Sequence, residues 1–490
     1  MSRHSIKRNF AYQMAYQVLI LLLPFLTSPY IARVLGAPAL GAYSYTYSIV
    51  FYFGLFANLG IINYGNRCIA QVRDNRQALN ETFSQILYLH MLLTLAVTGL
   101  YVLYLWLFPG EFTVIAGIEV LYLVAIFFDV TWLFSGLEDF RAIVLRNSVI
   151  KIASVVLILL LVKKTDDLWK YVLIMAGSVV GGNLCIWPSL GAYVKLCRVP
   201  RKSIFMHLRP MLTLFMATLA VSIYTYIDKV MLGAMSTVAQ VGYYDNAGKM
   251  IDFPVGFITA LGAVMLPRLA NVFANGDEEK GREYIEKSMK LALPVSYALA
   301  FGVAGISGTF SVFFWGKEFA PSGPIMALLS VNIVLISWND IVRTQYLIPK
   351  ERDRAYLVAV TAGAVTDVAA NACLIPLYGG AGAALGTLLS YIVVCAVQTA
   401  AVRKELPVRR YLRASLPFLL FGGVMFAVVR RVEAVLNGSI FVTLLAMIAA
   451  GAAVFLSLSL AWVLLTKDDF WLSLLASAKE KVRGALHRKG

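Results

Sequence analysis

The run Arg33-Val34-Leu35-Gly36, followed by Gly41-Ala42-Tyr43-Ser44-Tyr45, has a second copy in Lys229-Val230-Met231-Leu232-Gly233, followed by Gly242-Tyr243-Tyr244-Asp245-Asn246. Each copy reads as a long apolar helix closed by one cation, then a small-residue turn. A glycine-started helix rich in tyrosine follows. Membrane transporters of two lobes are built on internal repeats of this kind, with the pathway between the halves.

Working outward, apolar stretches fill the chain at 9–35, 41–63, 83–108, 113–136, 142–162, 168–193, 210–234, 240–266, 289–315, 322–348, 355–376, 381–402, 412–429 and 440–465. Each approaches the roughly 20 residues that cross a bilayer as helix. The chain has 490 residues, 60% of them hydrophobic and 14% charged, more apolar surface than a soluble protein of this size can bury. The predicted fold class is therefore an all-α integral membrane protein of about fourteen transmembrane helices. The start of the chain, with Arg3, Lys7 and Arg8 before a long apolar run, reads as a retained first span rather than a cleaved signal.

The formal net charge of +16 raises nucleic acid as a partner, but the placement of the cations argues against it. With the N-terminus inside and the spans alternating, most of the 43 Lys and Arg fall on the cytoplasmic side, as in Lys195/Arg198/Arg201/Lys202/Arg209 and Arg403/Lys404/Arg409/Arg410/Arg413. Lys163, Lys164, Lys170, Lys317, Arg430 and Arg431 fall outside. The positive-inside rule accounts for this bias without a polyanion. The expected topology thus has both termini on the cytoplasmic side of the membrane. The five cysteines form no CxxC pair and the four histidines are scattered, so no metal site or cofactor is expected.

The repeat predicts an N-lobe over 1–193 (six spans), a basic cytoplasmic linker over 194–209 and a C-lobe over 210–402 (six spans). Two further spans occupy 403–466, and a cytoplasmic amphipathic tail runs over 467–490. Six spans per lobe make the repeats parallel, related by an axis along the membrane normal. In the tail, Phe470, Trp471, Leu474, Leu475 and Ala478 share a side ahead of Lys479, Lys481 and Arg483, a pattern that lies on a leaflet. Arg268–Lys290 reads as a solvated linking helix.

Ionisable residues within spans cost several kcal/mol unless a partner or a wet cavity receives them, so they mark the candidate site. Asp245, Lys249 and Asp252 follow i, i+4, i+7 spacing and share a helix face, with Asn246 beside them. They face either a cavity or each other as an internal pair. Asn332, Asn339 and Arg343 form a second stripe, and Asp367 with Asn371 a third. In the first span Gln13, Gln17 and Ser28 make a polar face on a helix bent by Pro24 and Pro29, and the next span offers Tyr43 and Tyr47. Arg33 and Lys229 occupy matched positions in the two repeats. Asp129 and Lys151, on consecutive spans, read as a structural or gating pair, and Asp228 and Asp367 as members of such pairs. Cations hold phosphates, and tyrosine faces and hydroxyls suit sugars, so a cleft lined this way suits an anionic polar ligand.

Arg33-Val34-Leu35-Gly36, Thr131-Trp132-Leu133-Phe134-Ser135-Gly136-Leu137-Glu138, Ile227–Gly233, Val241-Gly242-Tyr243-Tyr244 and Gly379–Ala384, in this order, resemble a polysaccharide flippase. The family is the Wzx-type, O-antigen branch of the multidrug/oligosaccharidyl-lipid/polysaccharide superfamily. The resemblance implies a transporter and not an enzyme. It would move undecaprenyl-pyrophosphate-linked oligosaccharide units across the membrane by alternating access of two lobes around a cationic cavity. In such proteins that cavity holds the head group, a role that would pass here to Arg33, Lys229, Lys249 and Arg343. Membrane lipids, a polysaccharide polymerase and chain-length machinery are the implied partners, and coupling to H+ or Na+ stays open. The alternatives are a drug or cation antiporter of the same superfamily, a lipid II-type precursor flippase, and a membrane polymerase or ligase, which the short external loops disfavour.

Overall fold

A computed structural model describes residues 6–436 and 438–473, with the side chains of 6–22, 24, 140–143, 145, 214, 217, 220, 221 and 223–225 outside the description. Among the described residues the chain is helical throughout, with no strand. Eleven helical segments are long and apolar enough to cross a membrane. The first helix, α1 (Ile6–Asn58), is two helices divided at Gly36, whose φ of 78° and ψ of 172° lie outside helical values. An L side chain resists that positive φ and glycine does not. With α1 divided there, and with α6 (Phe140–Leu161) and α10 (Leu208–Met235) added, a helix stands at each of the fourteen apolar stretches.

The first compact unit holds the described residues up to Asp245 together with Asn371–Ala383. It contains α2 (Ile61–Val72), α3 (Arg76–Leu107), α4 (Thr113–Phe127), α5 (Thr131–Gly136), α7 (Leu168–Leu184), α8 (Leu190–Tyr193) and α9 (Arg201–Phe205), and the first turns of α11 (Val238–Ala274). Its main core gathers Ile69, Phe83, Ile86, Trp132, Leu133 and Phe134, with the Trp132 ring seated over the bare backbone of Gly65. The segment between the second and third apolar stretches carries α2. Ile61, Tyr64, Gly65 and Ile69 recur at helical spacing and bury one face, which fixes a short amphipathic helix there. Asn75 then caps α3 by accepting from the backbone N–H groups of Gln77 and Ala78, both at 3.1 Å.

The second unit holds Asn246–Ala370 and the described residues from Ala384 onward. Its helices are the rest of α11, α12 (Glu278–Trp315), α13 (Ser322–Ser330), α14 (Asn332–Val342), most of α15 (Asp353–Tyr378) and of α16 (Gly380–Val402), α17 (Val408–Val435) and α18 (Ile440–Thr466). The core runs through Ile285, Met289, Trp338, Tyr346, Phe418 and Met447. Arg268–Lys290, expected as one solvated helix, is instead the outgrown ends of two. α11 continues to Ala274, and Asp277 caps α12 by accepting from the N–H of Lys280 at 3.2 Å. Of the expected amphipathic tail, Leu474, Leu475, Ala478, Lys479, Lys481 and Arg483 lie outside the described residues.

Candidate functional site

In the first unit the two copies of the repeated sequence meet each other. A Cβ placed on Gly41 would stand 1.7 Å from the Val238 carbonyl oxygen, and one on Gly242 would stand 2.3 Å from the Ala37 carbonyl oxygen. The glycine that starts each repeat helix therefore lets the backbones of α1 and α11 touch. Gly233 likewise lies under the ring of Tyr45.

This close approach sets the polar groups beside one another. Lys229, near the end of α10, is ion-paired with Asp245 of α11. The other carboxylate oxygen of Asp245 accepts from Ser44 Oγ of α1 at 2.9 Å. The preceding residues repeat the pattern: Asp228 accepts from the Tyr244 hydroxyl at 2.5 Å and from Asn371 Nδ2 at 2.6 Å. Two consecutive residues of α10 are thus tied to two consecutive residues of α11. Asp228 is 1% exposed and Asp245 6%, so both carboxylates depend on these partners to offset desolvation.

Aromatic rings surround the pair. Lys229 Nζ lies 5.2 Å from the centre of the Tyr226 ring, which stacks on Phe51 at 3.8 Å. Tyr47 meets Tyr122 edge-on at 5.0 Å, Tyr43 meets Tyr171 at 5.2 Å, and the Tyr43 and Tyr122 hydroxyls are 3.0 Å apart. Beneath them Glu119 of α4 is fully buried, with no hydrogen-bond partner for either carboxylate oxygen among the described residues. Polarisable ring faces, paired hydroxyls and one ammonium group can receive hydroxylated rings and an anion together.

The second unit carries its own polar cluster. Arg343 Nη2 donates to Asp340 at 2.6 Å, and the guanidinium lies 5.8 Å from the centre of the Tyr356 ring. Arg343 opens a π-helical turn, Arg343–Leu347, that follows α14. Such turns are rare and recur at functional sites. Asn339 and Gln345 are buried with neither amide atom partnered among the described residues. Gly262 of α11 makes room for this cluster, since a Cβ there would stand 2.2 Å from Asp340 Oδ2.

Of the residues marked from the sequence, the structure joins Lys229 to Asp245, with Tyr43 and Tyr47 in the adjoining ring cluster, and keeps Asn339 beside Asp340 and Arg343. Asn246, Asp367 and Asn332 are buried, whereas Arg33, Lys249 and Asp252 have exposed side chains. Asp129 and Lys151 do not pair. The Asp129 carboxylate accepts from the N–H of Thr131 at 2.8 Å, capping the turn that leads into α5, and that local bond displaces the expected partner. The side chains of Gln13 and Gln17 lie outside the described residues. Glu119, Ser44, Tyr122, Tyr171 and Tyr226 were not marked. An acid well inside the 113–136 span was signal enough for Glu119. Ser44 and the tyrosines gave none, since serine and tyrosine are common in helices facing any neighbour.

The fold is that of an all-helical, multi-pass membrane protein that carries buried polar clusters within its spans. Residues 6–273, more than half the chain, match the polysaccharide biosynthesis protein family, and the chain belongs to it. A relative from Shigella dysenteriae named "Putative O-antigen transporter" is 24% identical over 392 residues, which cover 78% of this chain and 96% of the relative. Among solved structures, lipid II flippase MurJ in an inward closed conformation superposes with a TM-score of 0.77 at 16% identity, over 93% of this chain and 100% of that one. An inward-facing multidrug resistance transporter of the MATE family superposes at 0.62 with 14% identity, over 81% of this chain and 95% of that one. At such identities the structures establish the fold, and the relatives' names are those of transporters and flippases.

Proposed function

We propose that this protein moves an oligosaccharide linked to undecaprenyl pyrophosphate across the bacterial cytoplasmic membrane, with both termini inside, by alternating access of its two lobes. The observation that carries the reading is the Lys229–Asp245 pair set among tyrosines, in a chain of the polysaccharide biosynthesis family. A pyrophosphate competes with the Asp245 carboxylate for the Lys229 ammonium, so arrival of the head group loosens the tie between α10 and α11. Tyr43, Tyr47, Tyr122 and Tyr226 offer faces and hydroxyls to the sugars. Arg343 and Lys249 are the further cations assigned to the phosphates.

The test is reconstitution in proteoliposomes with a fluorescent undecaprenyl-pyrophosphate glycan, scored by quencher access from outside. Lys229→Ala is expected to abolish translocation and Lys229→Arg to keep much of it. Unchanged translocation by Lys229→Ala sinks the proposal. The second reading, export of cationic compounds, is supported by the buried acid Glu119 and by the multidrug transporter fold. It is adopted instead if the vesicles move a cationic dye and leave the glycan lipid in place.

A further inference from the structure

A cavity of about 200 Å³ opens in the second unit, lined by residues that belong to none of the polar clusters described above. Its walls come from the first half of α12, the start of α17, the end of α18 and the residues just after it. Lys290, Arg410, Tyr411, Arg413, Trp462 and Trp471 line it, together with the carboxylates of Glu286 and Asp468.

The charges there are unequal. Lys290 is held by Asp468 at 3.0 Å and by Glu286 at 3.5 Å, and Arg410 reaches Glu286 at 3.1 Å. Among the described residues Arg413 has no carboxylate partner. Three cations therefore face two acids among the described residues, a lining complementary to one negative charge. Tyr411 adds a second, independent observation. It is 4% exposed, and among the described residues its hydroxyl has no hydrogen-bond partner, although it lines this cavity. A buried donor without an acceptor asks for one.

The surroundings name the ligand class. Phe418 and Trp471 pack at 5.9 Å, and Trp462 meets Phe421 at 6.3 Å, so aromatic rings frame the site at the ends of three apolar helices. Tryptophan gathers at the level of lipid head groups, and basic pockets between spans there take anionic head groups. The volume is below the roughly 300–1,000 Å³ of sites for drug-sized ligands, too small for an oligosaccharide unit. We propose that this cavity binds the phosphate of an anionic membrane phospholipid. Arg413 and the Tyr411 hydroxyl donate to the two non-bridging phosphate oxygens, and the acyl chains stay in the bilayer. The site is separate from the transport clusters and does not rest on the transport reading.

The test uses the full-length protein in neutral detergent, with phosphatidylglycerol, phosphatidylcholine or inorganic phosphate added, read by native mass spectrometry and thermal melting. Phosphatidylglycerol is expected to stay bound and raise the melting temperature, and phosphatidylcholine to do neither. The double substitution Arg413→Gln with Tyr411→Phe is expected to weaken phosphatidylglycerol binding about tenfold or more, the loss of one charge-assisted contact. Should the double variant melt early without lipid, Arg413→Gln alone is read, since its side chain is exposed; Arg413→Lys is expected to keep part of the affinity. Equal retention of the two lipids overturns the proposal, as does wild-type affinity in the arginine variant. Stabilisation by inorganic phosphate equal to that by phosphatidylglycerol also overturns it, in favour of a soluble anion.

Discussion

Lys229 and Asp245 show how a residue's role depends on which neighbour reaches it first. Helical spacing placed Asp245 one turn from Lys249, and a sequence read in one dimension offers only such partners. The structure binds Asp245 to Lys229 and Ser44, from two other helices. That long-range choice is made by the glycines that bring the helices together, and no spacing rule encodes it. If the pair carries the buried charge, Lys229→Met should destabilise the protein by about 3–5 kcal/mol, because a carboxylate is left without its cation. Adding Asp245→Asn should recover most of the loss. Melting curves of the purified single and double variants check this, and an undiminished loss in the double variant refutes it.

At the scale of elements, the fourteen spans were legible because apolar length is set by the bilayer, and a helix stands at each of them. So was the break between the first two: the small-residue turn read after Arg33 begins where the non-helical backbone angles fall, at Gly36, and not at Pro24 or Pro29. The Gly41 contact makes a direct prediction. Gly41→Val should force α1 from α11 and lower membrane abundance, whereas Gly248→Ala, where an added Cβ meets nothing within 4 Å, should not. Immunoblots of membranes at equal expression decide between them.

The connection after α16 carries a pH-dependent fastening. The Tyr346 hydroxyl donates to Glu405, Arg352 Nη2 lies 2.7 Å from it, and the two hold the carboxyl below its ordinary value despite some burial. A depressed folded-state pKa stabilises above the unfolded value of about 4.3 and is lost as pH falls through the folded one. The wild-type melting temperature should therefore drop more steeply than that of Glu405→Gln as pH falls below about 4.3. Parallel slopes for the two proteins would remove Glu405 from the account.

For the whole molecule, the repeated stretches at 33–45 and 229–246 carried the most information, because they form the contact that builds the first unit's site. The bias of cations toward alternate loops predicts a topology that hydropathy alone leaves undirected. In a background with the five native cysteines replaced by serine, Lys202→Cys should react with an impermeant maleimide only in inverted vesicles. Lys317→Cys should react only from the outside of intact cells. Labelling of both from the same side contradicts the assigned orientation.

The bare contact between α1 and α11 bears on speed. Ordinary helix pairs interlock side chains, so sliding one along the other requires rotamers to jump in turn. Where Gly41 and Gly242 meet, peptide groups face peptide groups and no side chain stands between them. Displacement along that seam needs no rotamer jump at the glycines, and the Ser44–Asp245 hydrogen bond is one it has to break. A shear of this kind leaves each helix's own hydrogen bonds intact. Gly41→Ala or Gly242→Ala would set a methyl group in that path, so the two smallest residues of the repeat keep it open.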